Sequence, residues 1–475
     1  MELSKSLLTV FVLFFVSEQT SAQLARTQRL KLNVIRNINN REPELVEVAN
    51  KIWSYAEPPL AEIKSAGLLK DVLRENGFVI SDELCGFKTV FLATYGTEGP
   101  VIGLFGEYDS DLNAFNEVAP YRSTKFPESF GHGGHHNLLA AGSLGAALAL
   151  ADLIRKGSLK CTIRYYGTSD EGGIGTKSYL AGDGYFDDLD ISIYWHPSPV
   201  TAAATSPWDA RFKIQAVFTG TSVNVLREFS TDNTLTATER FVRVLAQLRA
   251  GMSPMERLNY EISMNGEDQV IGDSVRFDII VQTVHQEEAI KLLSALKKSV
   301  TQISAEVAVK GMLRVLDAKH QFLPNVTAMR AVYSNMNALD PEKYSAEDQQ
   351  FVKDLQQHLG KESSGIAYQL LPFIDHSQRE TLYGYVSDIG DASWIAPEIY
   401  FVVQTLPSVP MHQWPATIFS AHNIGHRGML RAAKIIAMTV VDFVENKELR
   451  QAITFEFNNH AGQYNYSFLR SADLH

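Results

Sequence analysis

Cysteine is scarce: only Cys85 and Cys161 occur in 475 residues. That excludes a disulfide framework and a cysteine-rich zinc module, and leaves room for one bridge at most. Basic residues are in deficit, with 43 Lys and Arg against 54 Asp and Glu and a formal net charge of −11. Phosphate backbones are bound by basic surfaces, so nucleic acid is excluded as a partner. Beyond the amino end no stretch is long and apolar enough to span a bilayer, which takes about 20 residues. A Gly-x-Ser-x-Gly elbow is missing, and both cysteines lie outside the motif clusters, which argues against a serine or cysteine nucleophile. Internal repeats and low-complexity tracts are missing too. What is present is ample core material: 45% hydrophobic and 20% charged residues, enough for two to four domains.

At the amino end, Lys5 precedes the apolar run Leu7 to Val16, and small residues stand at Thr20 and Ala22. This pattern reads as a secretory signal over residues 1–22, cleaved after Ala22. The expected mature protein is secreted or periplasmic and free of the membrane. Asn325-Val-Thr and Asn465-Tyr-Ser are glycosylation triplets that matter only in a host that glycosylates.

Helical patterns cover Leu45 to Ala56 and Glu62 to Glu75, and strand-like runs cover Thr89 to Tyr95 and Val101 to Glu107. The helix Asn137 to Arg155 is apolar nearly all round and belongs in the centre of a domain. A strand (Cys161 to Tyr166), a short helix (Gly175 to Leu180) and a strand (Asp190 to Tyr194) follow. This alternation predicts an α/β sandwich with a mixed, largely parallel sheet. After Pro207 the order becomes β-α-β-β-α-β, the signature of a ferredoxin-like module. The expected division is a catalytic domain over 23–207 and 324–475, with an inserted lid or dimerisation domain over 208–323. Beyond Pro324 come a helix, a polar stretch (Lys343 to Ser364), the run Ile399 to Thr405 and a final helix, Gly428 to Asn446.

In open α/β sheets, functional groups collect past the carboxyl ends of strands. Those ends here carry Glu107 and Asp109, Asp170 and Glu171, and His196; between and after them lie Gly131-His-Gly-Gly-His-His136 and Ala421-His-Asn-Ile-Gly-His426. Imidazoles and a carboxylate hold a zinc ion while leaving a position for water, and a carboxylate outside the metal's reach takes the water's proton. Asp170-Glu171 suits that division, because adjacent side chains point in different directions.

The segments GEYDSDL, GHGGHHNLLAAGS, YYGTSDEGGIGTKSYL, FDDLDISIYWHP, SDIGDASW, MHQW and IGHRGMLRAAK resemble, in that order, the metal-dependent aminoacylase/carboxypeptidase-type peptidase (amidohydrolase) family. The branch they resemble is that of p-aminobenzoyl-glutamate hydrolase and Xaa-Arg dipeptidase. The resemblance implies a two-metal catalytic domain, an inserted lid that often dimerises, and hydrolysis of N-acyl amino acids, dipeptides or folate fragments with a free carboxylate. It assigns His136, Glu171, His196 and His426 as ligands of a divalent metal, one or two per chain, zinc first, with manganese and cobalt as alternatives. The general base falls on Asp170, where the family has Glu. The bridging Cys of the family falls on Gly134, so a replacement nitrogen is expected from His135 or His132. The lid histidine falls on Asn224, left to donate to a developing oxyanion. Two functions follow from these departures: an active hydrolase with a remodelled site, or a degenerate relative that binds without turnover. Other residues have plainer expectations. His132 and His422 serve helix capping or support, Asp388 and Asp391 orient ligands or close turns, Trp195 and Trp394 pack, and Gln269 is the nearest lid candidate for a substrate amide.

Overall fold

The computed structural model describes residues 22–475 except 126–128, 204, 221–222, 225–232, 266–269, 272–273, 379–383, 463, 465 and 470–475; at 223–224, 264–265 and 270–271 it describes the backbone alone. Residues 1–21 of the signal sequence and Gln269 fall outside the described residues. Helix α1 (22–40) comes first, followed by α2 (Glu42–Tyr55) and α3 (Ile63–Glu75). Then come β1 (Val79–Ser81), β2 (Phe91–Tyr95), β3 (Val101–Glu107), α4 (His136–Arg155), β4 (Thr162–Thr168), α5 (Thr176–Gly182), β5 (Ile191–Ser198) and β6 (Ala202–Ala203). The second body of strands runs β7 (Ala210–Thr219), β8 (Val223–Asn224), α6 (Asn233–Gly251), β9 (Arg257–Asn265), β10 (Val270–Ile271), β11 (Ser274–Thr283), α7 (Gln286–Val307) and β12 (Lys310–Lys319). The chain ends with α8 (Val326–Ala338), α9 (Ala346–His358), α10 (Ile389–Ala392), β13 (Glu398–Gln404), α11 (Trp414–Thr417), α12 (Asn423–Glu445) and α13 (Lys447–Ala461).

The main sheet has seven strands in the order β1-β2-β4-β3-β5-β13-β6. Its centre, β4-β3-β5-β13, is parallel, and its flanks are antiparallel. The α/β class expected from the sequence is borne out. Parallel strands must be covered on both faces, and the central strands are accordingly buried. Contrary to the expectation that no stretch beyond the amino end could span a bilayer, helix α4 is long and apolar enough by length and composition, but it is buried from His136 to Leu153 as a core helix. Gly142 lets it lie against the sheet: a methyl group there would start 2.7 Å from the Trp195 ring. Trp195 donates to the Leu139 carbonyl, so its role is packing.

The inserted strands form a separate four-stranded antiparallel sheet, β12-β7-β11-β9. One face carries Phe212, Ile214, Phe277 and Ile279 against Phe241 of α6 and Leu296 of α7, a core of its own. The sequence alternation predicts these strands because period-two patterning matches a half-buried sheet. The two bodies touch at a defined point. Lys319, at the end of β12, is fully buried and donates from Nζ to the Gly173 carbonyl in the loop after β4.

Cys85 and Cys161, for which the sequence left room for one bridge at most, are free thiols. The polar stretch 343–364 contains helix α9, which opens on a reciprocal cap between Ser345 and Asp348.

Candidate metal centre

The parallel order β4-β3-β5 brings three strand ends side by side. Glu107 is the last residue of β3, and His196 lies near the end of β5. His136 opens α4, and the glycines before it let that turn approach another loop. A Cβ at Gly133 would lie 2.8 Å from the backbone of His412 and Gln413, and the Gly133 carbonyl accepts from the His412 N–H.

Glu107, His136 and His196 are buried, and their ligand atoms lie within 4.8 Å of one another. His136 donates from Nδ1 to the Asp109 carboxylate at 2.9 Å. Its Nε2 has no hydrogen-bond partner and lies 3.5 Å from Glu107 Oε2. His196 uses Nδ1 to donate to the Pro197 carbonyl at 2.8 Å, which leaves its Nε2 lone pair for a ligand. A carboxylate or carbonyl behind each imidazole is how proteins orient metal-bound histidines. Two imidazoles and one carboxylate with a fourth direction open are the donor set of a zinc hydrolase. The residues therefore fit a divalent ion.

Electrostatics agree with that geometry. Burial pushes His196 down to about 4, helped by the neighbouring His136 charge, so it is a neutral donor. Burial also opposes charge on His136, but Asp109 and Glu107 outweigh it and hold the imidazole up to about 10. That response to surrounding carboxylates marks a cavity built for a cation.

Glu107 is itself held. Tyr194 donates to its Oε2 at 3.1 Å, and the Lys177 ammonium lies 2.5 Å from its Oε1. Lys177 is fully buried and also meets Asp388 at 2.6 Å. Asp388 accepts the Lys177 backbone N–H with its other oxygen. Burial lifts Asp388 to about 7 although Lys177 draws it down.

The remaining sequence candidates distribute unevenly. Glu171 lies outside the cluster, yet its charge acts on His196, His412 and Lys177, and its Oε1 is buried without a partner. Asp170 takes a left-handed backbone (φ 55°) and turns its carboxylate back onto its own loop, accepting the Ile174 N–H at 2.7 Å. His135 does not reach the cluster. Its Nδ1 meets the Thr405 hydroxyl and its Nε2 donates to the Ala416 carbonyl, so the replacement ligand expected there is withdrawn. His426 donates from Nε2 to Asn50 and is also outside the cluster, a second correction. His132 donates to the Ile52 carbonyl, and His422 caps α12 through Nδ1. Asp391 accepts from His320, Ser178 and Tyr466. Trp394 donates to the Gln321 carbonyl. Asn224 pairs through its backbone with Val270 in a two-stranded ribbon. His412, not singled out as a site residue in the sequence although it lies in MHQW, meets Asp111 at 3.1 Å. Its bond to that carboxylate raises its pKa.

Gly134 lines the cluster, since a side chain there would start 3.2 Å from His136 Nε2 and 3.1 Å from the His412 ring. Gly134 is not among the residues with positive φ, and the His412 side chain, 56% exposed, can swing aside at the cost of its bond to Asp111. Gly134→Cys is expected to add a thiolate donor and tighten metal binding on the order of tenfold, measured by chelator competition. Unchanged affinity in a folded variant would show that the thiol does not reach the ion.

The chain is 24% identical to a subunit of p-aminobenzoyl-glutamate hydrolase from Escherichia coli (strain K12), over an alignment of 446 residues that covers 85% of this chain and 90% of that one. A dinuclear metal-binding peptidase of the M20 family from Bacillus subtilis has a TM-score of 0.56 and 15% identity, covering 86% of this chain and 99% of that one. An aminobenzoyl-glutamate utilization protein from Klebsiella pneumoniae has a TM-score of 0.58 and 13% identity, covering 86% and 98%. No family model matches the chain. The resemblance carried by the motifs is borne out by these relatives.

Proposed function

We propose, for a chain that shares its motif series and fold with metal-dependent amidohydrolases, that it hydrolyses the amide bond of a small N-acyl amino acid, dipeptide or aminobenzoyl-glutamate-like substrate with a free carboxylate. The observation that carries the reading is the partnerless Nε2 of His136, buried beside His196 and the Glu107 carboxylate. Glu107, His136 and His196 would hold a divalent ion, which would supply Lewis acidity to the scissile carbonyl and to a water. Zinc suits the donors best; manganese and cobalt accept the same types. Asp109 fixes the His136 ring, and Tyr194 and Lys177 fix the Glu107 carboxylate. Glu171 accepts the proton that the attacking water loses and returns it to the leaving nitrogen. It takes that part in place of Asp170, whose carboxylate is tied to Ile174.

We assign the substrate's apolar portion to a cavity on the neighbouring strand. A cavity of about 530 Å³ is lined by Trp208, Leu371, Ile374, Tyr385, Tyr400 and Val402 among others. Tyr400 and Val402 of β13 are register partners of Tyr194 and His196 on β5, so they share that face one strand away. On this reading an aromatic or aliphatic group fills the cavity and the adjoining amide faces β5, which bears His196. The alternative is a relative that binds without turnover, favoured by the missing donor at Gly134 and the tethered Asp170.

The test is metal analysis of the purified chain together with an acyl-amino-acid and dipeptide panel, before and after EDTA. Bound metal and chelator-sensitive hydrolysis, restored by adding metal back, are expected. Bound metal with no turnover on any substrate would select the binding protein, and no metal would remove both the centre and the reaction. Export and dimerisation through the inserted domain are proposals of the same kind. They predict a secreted product beginning at Gln23 with a solution mass twice that of the chain. An unprocessed amino terminus would refute the first, and a monomeric mass the second.

A further inference from the structure

We infer that Lys177 is the second cation of this centre, so that the chain binds one metal ion where the resemblance implies two. The inference rests on the metal-centre reading above and deepens it. Lys177 has no exposed surface, and its ammonium lies 2.5 Å from Glu107 Oε1 and 2.6 Å from Asp388 Oδ1. The opposite oxygen of Glu107 faces His136 Nε2 at 3.5 Å. One carboxylate therefore joins an ammonium on one side to an imidazole cluster on the other, the arrangement in which a carboxylate bridges two positive centres.

The supply of donors points the same way. Two oxygens of Asp388 are taken by Lys177, one by the ammonium and one by its backbone N–H. Gly134 has no side chain to give. His135 and His426 direct ring nitrogens to Thr405, Ala416 and Asn50. Among the described residues, the clustered donors are Glu107, His136 and His196, enough for one ion with an open position. Lys177 cannot withdraw to make room, because a buried ammonium without partners is strongly disfavoured and its partners are here. A second divalent ion would meet both a fixed positive charge and a carboxylate already engaged by it.

The chemistry of the site changes with that substitution. An ammonium balances charge without opening coordination positions, so Lys177 positions Glu107 and holds the local charge balance but contributes no second Lewis acid. Lys177 is a positioning residue in this scheme, and its role shows in metal stoichiometry rather than only in rate.

The experiment loads the full-length mature chain with excess Mn²⁺, removes unbound ion by gel filtration, and reads metal per chain by mass spectrometry alongside the electron paramagnetic resonance spectrum. One manganese per chain with an uncoupled signal is expected. Two per chain with a spin-coupled signal would overturn the inference while leaving the hydrolase reading intact. No manganese and no zinc under any loading would sink the metal centre itself, and this inference with it. The variant Lys177→Gln is expected to accept a second equivalent that the parent refuses. A folded Lys177→Gln chain that still binds one equivalent would show that the ammonium does not exclude the second ion. If that variant fails to fold, the parent's stoichiometry and spectrum decide the matter alone.

Discussion

Replacing His136 with Ala is expected to strip the metal and lower kcat/KM by about 10³-fold or more, since the ion's activation of carbonyl and water is lost with it. The variant removes the imidazole of the cluster whose free nitrogen is buried without a protein partner. His196→Ala should behave alike, because His196 supplies the second imidazole of the cluster, one that burial keeps neutral. Asp109→Asn is the graded control. It weakens the bond that orients His136 while keeping all three donors, and outer supports of this kind typically cost about 10–100-fold in metal affinity or activity. Metal content by mass spectrometry and kcat/KM on the same preparations give the readout, with circular dichroism to confirm folding. A folded His136→Ala chain with full metal and full activity would refute the centre.

Glu171→Gln should lower kcat by about 10²–10⁴-fold with metal content unchanged, the usual cost of losing a general base. Asp170→Asn should stay within a few-fold of the parent. Its amide oxygen can still accept the Ile174 N–H that the carboxylate accepts now. The contrast is sharp because the resemblance alone assigns the opposite roles. It makes Asp170 the base and Glu171 a ligand, whereas the structure turns Asp170 into its loop and leaves Glu171 with a partnerless buried oxygen. A large loss in Asp170→Asn with a small one in Glu171→Gln would restore the roles given by the motif.

Much of the fold is legible from periodicity. Helix α4 and strand β3 fall where the sequence places them, within a residue, because all-round apolarity and a short apolar run bounded by turns are strong local signals. Helix α9 is hidden because AEDQQFVKDLQQH offers few apolar residues, with Val352 and Leu355 carrying its buried side. Its Ser345 and Asp348 cap is the signal available. Helix α13 is faint for the same reason, since it buries only Ile453 and Ala461. In the site, residue type locates the strand ends but not the direction of each ring. His135 and His426 are of ligand type and in the motif, yet their nitrogens serve neighbours, which depends on rotamers that spacing does not encode. Glu107 is visible as a strand-end acid, but nothing local ranks it above Glu171. Lys177 is invisible to a search for metal donors, since an ammonium is never one.

The Lys319 bond to Gly173 gives the inserted body a direct grip on the segment that bears Glu171. Gly175, two residues on, has φ 66° and no space for a larger residue against Asp388 and Lys319. The proposed proton acceptor would thus sit on a short strap, fastened on one side to β12 and wedged on the other against Asp388. Were the inserted body to serve as the proposed lid and move about β12, the segment bearing Glu171 would be drawn along with it.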